Sequence, residues 1–477
     1  MTPYDAPLWI VLTFLFVFGA VLGSFLNVCI YRIPQHERFL DQLRSLVSPP
    51  SSCPGCGSRI PRRDNVPILG WLLLRGRCRF CRMRISPRYP LIELLNGLLF
   101  VLVYWVEVPA GWSATLESSG TFAVLGPQII PDGLSPVAWL NWRYAYHMVL
   151  IEALVVATFI DFDHMIIPDG CTLPAMLVGV VGGFALAQVF LVPVWFQEPE
   201  IARMLSPYTP GWLERILGPM AVPQVDWTRN QEFLGRMARL EIPVWVRTFP
   251  HLHGLAVSVA GLVIGGGIVW VLRIIGQFVL KREAMGFGDV VLMATIGSFL
   301  GWQPVVTVFF VAPVCALAVL AVQRVAWLLY SVWRVLRRTR ATMESRQGPR
   351  EIPYGPYLSL AALLTLLGWK SIWPVAQWWF AFGPIVLIAF VAIPAAMFAS
   401  LQLFQGIKRL LGVPLYDEEL ARTALVEEWT PADQLIYLQG ENVDRLRGRW
   451  MPQHDWPGTA AGRGTAQVER WRNGSAR

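Results

Sequence analysis

The sequence predicts an all-α polytopic membrane protein of about eight to nine transmembrane helices, with a small cytoplasmic loop of zinc-ribbon type near its N-terminus. Three observations carry this. The 477 residues are 55% hydrophobic and 15% charged, with a mean hydropathy of +0.47, too apolar for an ordinary soluble chain. Apolar runs of span length recur along the chain. After the first of them, Cys53-Pro-Gly-Cys56 and Cys78-Arg-Phe-Cys81 form paired Cys-x-x-Cys knuckles.

The first run, Leu8–Ile30, follows no basic segment and leads into no small-residue cleavage site, so residues 1–30 read as a retained span rather than a signal peptide. Residues 31–90 form the Cys/Arg-rich loop. Runs at Leu91–Val106, Tyr144–Ile160 and Leu173–Val194 make residues 91–194 a set of transmembrane helices. Residues 195–253 read as an external polar insertion, in which six arginines balance six acidic residues between Phe196 and His253. Runs at Leu255–Ile275, Val290–Leu300, Val305–Tyr330, Tyr357–Leu367 and Phe380–Leu403 make residues 254–405 a second set. Val290–Leu300 is short for a span, which suggests either extension through Gly301-Trp302 or a broken helix lining a cavity. Residues 406–477 form a polar cytoplasmic tail, partly disordered by composition.

Arginine sets the orientation. Twelve arginines stand between Tyr31 and Pro90 against Glu37, Asp41 and Asp64, whereas Val108–Asn141 holds no Lys or Arg. The first stretch is therefore cytoplasmic and the second external. Counting spans returns Asp161, Lys281-Arg282, Asp289 and the Arg334–Arg340 cluster to the cytoplasmic side. The net charge of +8 needs no nucleic acid to explain it, because much of the excess flanks the membrane.

The four cysteines have the spacing of a tetrahedral thiolate zinc site, and a reducing cytosol argues against disulfides. An iron centre or redox pairs are the alternatives. A closed thiolate site would staple a loop that has little core of its own. Cys29, Cys171 and Cys315 lie in or beside apolar runs and read as packing residues.

Asp161 ends one apolar run and Asp289, in Gly286-Phe-Gly288-Asp289, opens another. Either acid alone reads most simply as a cap. Two at one membrane face read differently, because adjacent carboxyls share one proton, so that one activates water while the other polarises a peptide carbonyl.

With these motifs the chain closely resembles the type IV prepilin peptidases, the Gly-x-Gly-Asp class of membrane aspartyl proteases. The match runs through Gly23-Ser-Phe-Leu-Asn-Val-Cys-Ile-Tyr-Arg-Ile-Pro34, the cysteine knuckles with Asn65-Val-Pro-Ile-Leu-Gly-Trp71 between them, and Arg88-Tyr-Pro-Leu-Ile-Glu-Leu. It continues at Phe159-Ile-Asp161-Phe-Asp163-His, Pro168-Asp169, Gly286-Phe-Gly288-Asp289 and Ile352-Pro-Tyr-Gly-Pro356-Tyr. The resemblance implies Asp161 and Asp289 as the catalytic pair, and removal of the basic leader of type IV prepilins or type II secretion pseudopilins at the cytoplasmic face of the bacterial inner membrane. It further implies N-methylation of the new terminus with S-adenosylmethionine, for which no binding motif is visible. Asp163 and Asp169 read as capping or solvated neighbours. Glu93 reads as a partner for a loop arginine or for the substrate amine. Val291 stands where the family often has Lys. Three alternatives remain: a protease of this class with non-pilin substrates, a zinc-stapled scaffold of a pilus or secretion assembly, and a proton-relaying transporter. The sequence does not fix the oligomeric state.

Overall fold

A computed structural model describes residues 7–47, 50–108, 136–187, 189–195, 220–221, 242–243, 245–280, 285–336, 353–380 and 385–410. Most of the insertion, the tail beyond 410, Lys281-Arg282 and most of the Arg334–Arg340 cluster lie outside these residues.

The described chain is helical apart from short loops and one two-residue antiparallel pairing, Met220–Ala221 with Ile242–Pro243. Five helices are long and apolar enough to cross a membrane. They are α1 (Leu8–Arg32), α4 (Arg88–Glu107), α5 (Pro136–His164), α8 (Pro250–Leu280) and α10 (Trp302–Leu336). Shorter apolar segments lie in α6 (Asp169–Ala185), α9 (Phe287–Leu300) and α11 (Gly355–Phe380). The loop carries α2 (Phe39–Val47) and α3 (Leu69–Leu73); α7 (Trp245–Thr248) precedes α8, and α12 (Ile385–Leu410) follows α11. This is a multi-pass membrane architecture.

Punctuation residues set the boundaries. Pro87 and Pro90 open α4, and Pro168 caps α6. Helix α5 stops where Met165 turns left-handed, its N–H donating to the Asp161 carbonyl at 2.9 Å. Gly301, at φ +87°, separates α9 from α10, so the short run ends at that turn instead of continuing through it. From Val290 to Leu300 nearly every α9 residue is buried, which fits a helix enclosed by others better than one facing lipid.

Close backbone approach makes this enclosure possible. Gly261 of α8 and Gly297 of α9 each lie against the other's carbonyl, leaving no room for a Cβ. Tyr146 of α5 donates its hydroxyl to the Gly179 carbonyl of α6 at 2.8 Å and approaches the Ser298 carbonyl of α9 at 3.3 Å. Helices α6 and α9 are thereby tied to α5.

The structure departs from the sequence reading at the Leu173–Val194 run. Helix α6 ends at Ala185, Ala187 adopts φ +57°, and Val189, Leu191 and Val192 are buried without helical structure. Side chains supply the bonds that the absent helix would have made. Trp302 Nε1 donates to the Val194 carbonyl at 2.7 Å, Gln303 Nε2 to the Pro193 carbonyl at 2.8 Å, and the Val194 N–H to His253 Nε2 at 3.1 Å.

Far from the loop, at the last residue of α4, Glu107 is fully buried against α5. Its carboxylate lies 2.6 Å from His147 Nδ1 and 3.6 Å from Arg143 Nε. Replacing Glu107 with Ala should cost roughly 3–5 kcal/mol, because it strips the buried Arg143 guanidinium of its carboxylate and takes the partner from His147 Nδ1. Thermal unfolding of the purified protein in detergent would register this as a large fall in midpoint, and an unchanged midpoint would reject it.

Candidate active site

The paired knuckles are near copies of each other. Each sits in a tight hairpin with one antiparallel bridge, Ser52 with Arg59 and Arg77 with Arg84. In each, the first cysteine's carbonyl accepts an N–H from the residue four positions on, Gly57 at 2.8 Å and Arg82 at 3.1 Å, and that residue is left-handed. The sulfurs of Cys53, Cys56, Cys78 and Cys81 all lie within 4.8 Å of one another, and all four cysteines are free thiols. The Ser58 hydroxyl and backbone N–H pull the Cys56 thiol down to about 6, and the N–H groups of Cys81 and Phe80 lower that of Cys78. Four thiols converging in this way fit a tetrahedral metal centre. An Arg79–Asp64 ion pair, 2.7 Å from Nε to Oδ2, braces the second knuckle against the turn ahead of α3.

Asp161 and Asp289 are brought together from α5 and α9. They are 5% and 9% exposed respectively, and they interact electrostatically. Asp161 stands one turn before the end of α5, and Asp289 in the first turn of α9. The first residue of α11, Gly355, donates its N–H to Asp161 Oδ2 at 3.0 Å. Buried Ile167, on the α5–α6 turn, packs against both Gly288 and Gly355, so three helix ends close around one residue. Gly286 caps α9 and lies beside Asp289 Oδ2.

The neighbouring acids have other partners. Asp163 forms an ion pair with Arg88 at 2.7 Å, and that guanidinium also lies over the Phe159 ring. Asp169 occupies the first turn of α6. Glu93 is buried, and in place of the expected loop arginine it accepts the Ile68 N–H at 2.7 Å and a hydrogen bond from Ser24. The backbone, which sequence reasoning does not assign, competes successfully for this carboxylate. The role of Gly355 was visible only as part of a motif. Gln42 was missed entirely: it reaches from α2 to accept the Gly170 N–H at 2.7 Å and fixes the start of α6.

Buried paired carboxyls at one end of a membrane helix bundle, with a thiol cluster in the adjoining loop, define an integral-membrane enzyme. Residues 17–107 match the bacterial peptidase A24 N-terminal domain and residues 242–321 the type IV leader peptidase family. Over both matched segments the chain is similar to the type IV leader peptidases, and these matches support an enzyme with peptidase activity. The first match contains the four cysteines and Glu93, the second contains Asp289, and Asp161 lies between them.

Three relatives are similar over most of their own length or of this chain. The prepilin leader peptidase/N-methyltransferase of Aeromonas salmonicida (strain A449) is 27% identical over 382 residues, 76% of this chain and 93% of the relative. The type 4 prepilin-like proteins leader peptide-processing enzyme of Escherichia coli O78:H11 is 28% identical over 359 residues, 73% of this chain and 90% of the relative. The prepilin leader peptidase/N-methyltransferase of Myxococcus xanthus (strain DK1622) is 31% identical over 309 residues, 65% of this chain and 61% of the relative. No solved structure matches.

Proposed function

We propose that the chain removes the leader of type IV prepilins or pseudopilins at the cytoplasmic face of the bacterial inner membrane, with Asp161 and Asp289 as the catalytic pair. The observation that carries this reading is that two buried, electrostatically interacting carboxyls stand at helix ends that meet around Ile167, with Asp161 held by the Gly355 N–H. In the proposed cycle the pair holds one proton. The unprotonated carboxyl takes a proton from water as that water attacks the scissile carbonyl, and the protonated one donates to the carbonyl oxygen. The newly protonated carboxyl then gives its proton to the leaving amide nitrogen as the C–N bond breaks, while the other carboxylate takes back a proton from the gem-diol hydroxyl, which restores a pair holding one proton. A leader followed by a membrane-embedded helix brings the scissile bond to a helix end at the interface, where both aspartates lie.

Zinc is the ion proposed for the four thiolates, where it would hold two hairpins that share little core. One zinc per chain is expected by elemental analysis, lost on replacing buried Cys53 or Cys78 with Ser. Full retention by both variants would reject the assignment.

The names of the relatives pair the peptidase with an N-methyltransferase, and we propose the same second step here. No residue is assigned to S-adenosylmethionine. In the glycine run of α8, Gly265 and Gly266 pack against Met293 and Ala294 of α9, so that run is helix-packing surface rather than a cofactor cradle. The experiment is incubation of the purified protein with a prepilin and S-adenosylmethionine, read by mass spectrometry. A released leader and a mature chain heavier by one methyl group are expected. An intact prepilin, with protein that is inserted and zinc-loaded, would favour the scaffold reading.

A further inference from the structure

The arginine-rich loop carries an apolar patch that it does not bury. Leu69, Leu72 and Leu73 of α3 are 56%, 55% and 79% exposed. The opposite side of α3 faces inward: Gly70 lies against the Asp64 carbonyl, and Trp71 donates its indole N–H to the Ile85 carbonyl at 3.0 Å while its ring covers Gly76. The leucines are therefore presented outward by a braced hairpin.

The backbone is strained to hold this presentation. Ile68, a β-branched residue, adopts φ +61°, and Arg75 at the other end of the hairpin adopts φ +52°. Such conformations persist only where the surroundings enforce them. At Ile68 the enforcing group is the buried Glu93 carboxylate, which accepts its N–H.

Glu93 also sets the depth. It is the sixth residue of α4, so it lies about 7.5 Å along a helix whose length is just that needed to cross the hydrocarbon core. At this level the outer face of α4 is exposed leucine: Leu91, Leu94 and Leu95. Amphipathic surface helices bury their apolar faces to a depth of about 5–10 Å. The bond from Ile68 to Glu93 ties the start of α3 to that level of α4, with the exposed Arg75 and Arg77 just beyond α3 in the chain.

We propose that α3 is a membrane wedge: Leu69, Leu72 and Leu73 insert at the boundary between headgroups and acyl chains, and Arg75 and Arg77 meet the lipid phosphates. The wedge fixes the cysteine loop to the bilayer surface beside α4, independently of the metal. It rests on the membrane architecture and not on the catalytic assignment.

The test is photo-crosslinking of the full chain in vesicles of phosphatidylcholine and phosphatidylglycerol, with benzoylphenylalanine placed in turn at positions 69, 72 and 73, and at 82 on the second knuckle. Lipid adducts at the three leucine positions, at least severalfold above position 82, are expected from zinc-loaded protein without substrate. A Leu73→Asp variant that keeps its zinc should lower the adduct at position 72 severalfold. Equal lipid labelling at all four positions would overturn the proposal. So would crosslinks to a second copy of the chain, or crosslinks to prepilin, in place of lipid.

Discussion

Asp161→Asn and Asp289→Asn should each lower the turnover number for leader cleavage by about 10²–10⁴-fold or more, with KM changed by less than about threefold. The reason lies in the shared proton. Asparagine keeps the size of the side chain but neither accepts a proton from water nor donates an acidic one. Either substitution therefore removes one half of a device that works only as a pair, and the double variant should be scarcely slower than either single one. The wild type should lose activity on both sides of an optimum, at low pH when both carboxyls are protonated and at high pH when neither is. Fold and zinc content should be unaffected. A single variant that cleaves at the wild-type rate would remove that residue from the mechanism.

Gly355→Ala is expected to reduce turnover by about 10²-fold, the scale of loss when a catalytic group is displaced by about an ångström. A Cβ at this position would meet Asp161 Oδ2 at 2.6 Å and Ile167 Cδ1 at 3.0 Å. The first contact falls on a reacting atom, so the carboxyl must move and its bond from the Gly355 N–H is broken or lengthened. Gly355 holds Asp161 and is assigned no contact with substrate, so the loss should appear in kcat and leave KM nearly unchanged. Activity close to wild type would mean that Asp161 does not need the support of α11. A parallel fall in thermal stability and zinc content would mean that the change is structural.

The sequence was most informative where chemistry is local. Two Cys-x-x-Cys knuckles announce their hairpins because the donor atoms and the left-handed turn residue lie within a few positions of each other. Asp161 and Asp289 were legible as candidates from their positions at the ends of apolar runs, and helix packing brings them close enough to interact. What assembles around them was not legible in physical terms. Gly355 reaches Asp161 across 194 residues, and Gln42 reaches Gly170 across 128. Neither residue has a side-chain type that signals its task. Glu107, Arg143 and His147 were passed over for a different reason: they lie in or beside apolar runs, and only helix packing shows that these polar groups meet inside. The overlong end of the Leu173–Val194 run is a limit of hydropathy itself, since Val189, Leu191 and Val192 are as apolar in a buried irregular turn as in a helix.

The central claim is that the two aspartates act together on a tetrahedral carbon. Its most direct test is the affinity of a leader peptide in which the scissile amide is replaced by a hydroxyl-bearing tetrahedral isostere. A pair sharing one proton grips that hydroxyl between its carboxyls, so the isostere should bind at least about 100-fold more tightly than the amide peptide. That advantage should vanish in both Asp161→Asn and Asp289→Asn, while binding of the amide peptide stays the same. An isostere held no more tightly than the amide, or held equally by all three proteins, would contradict the account.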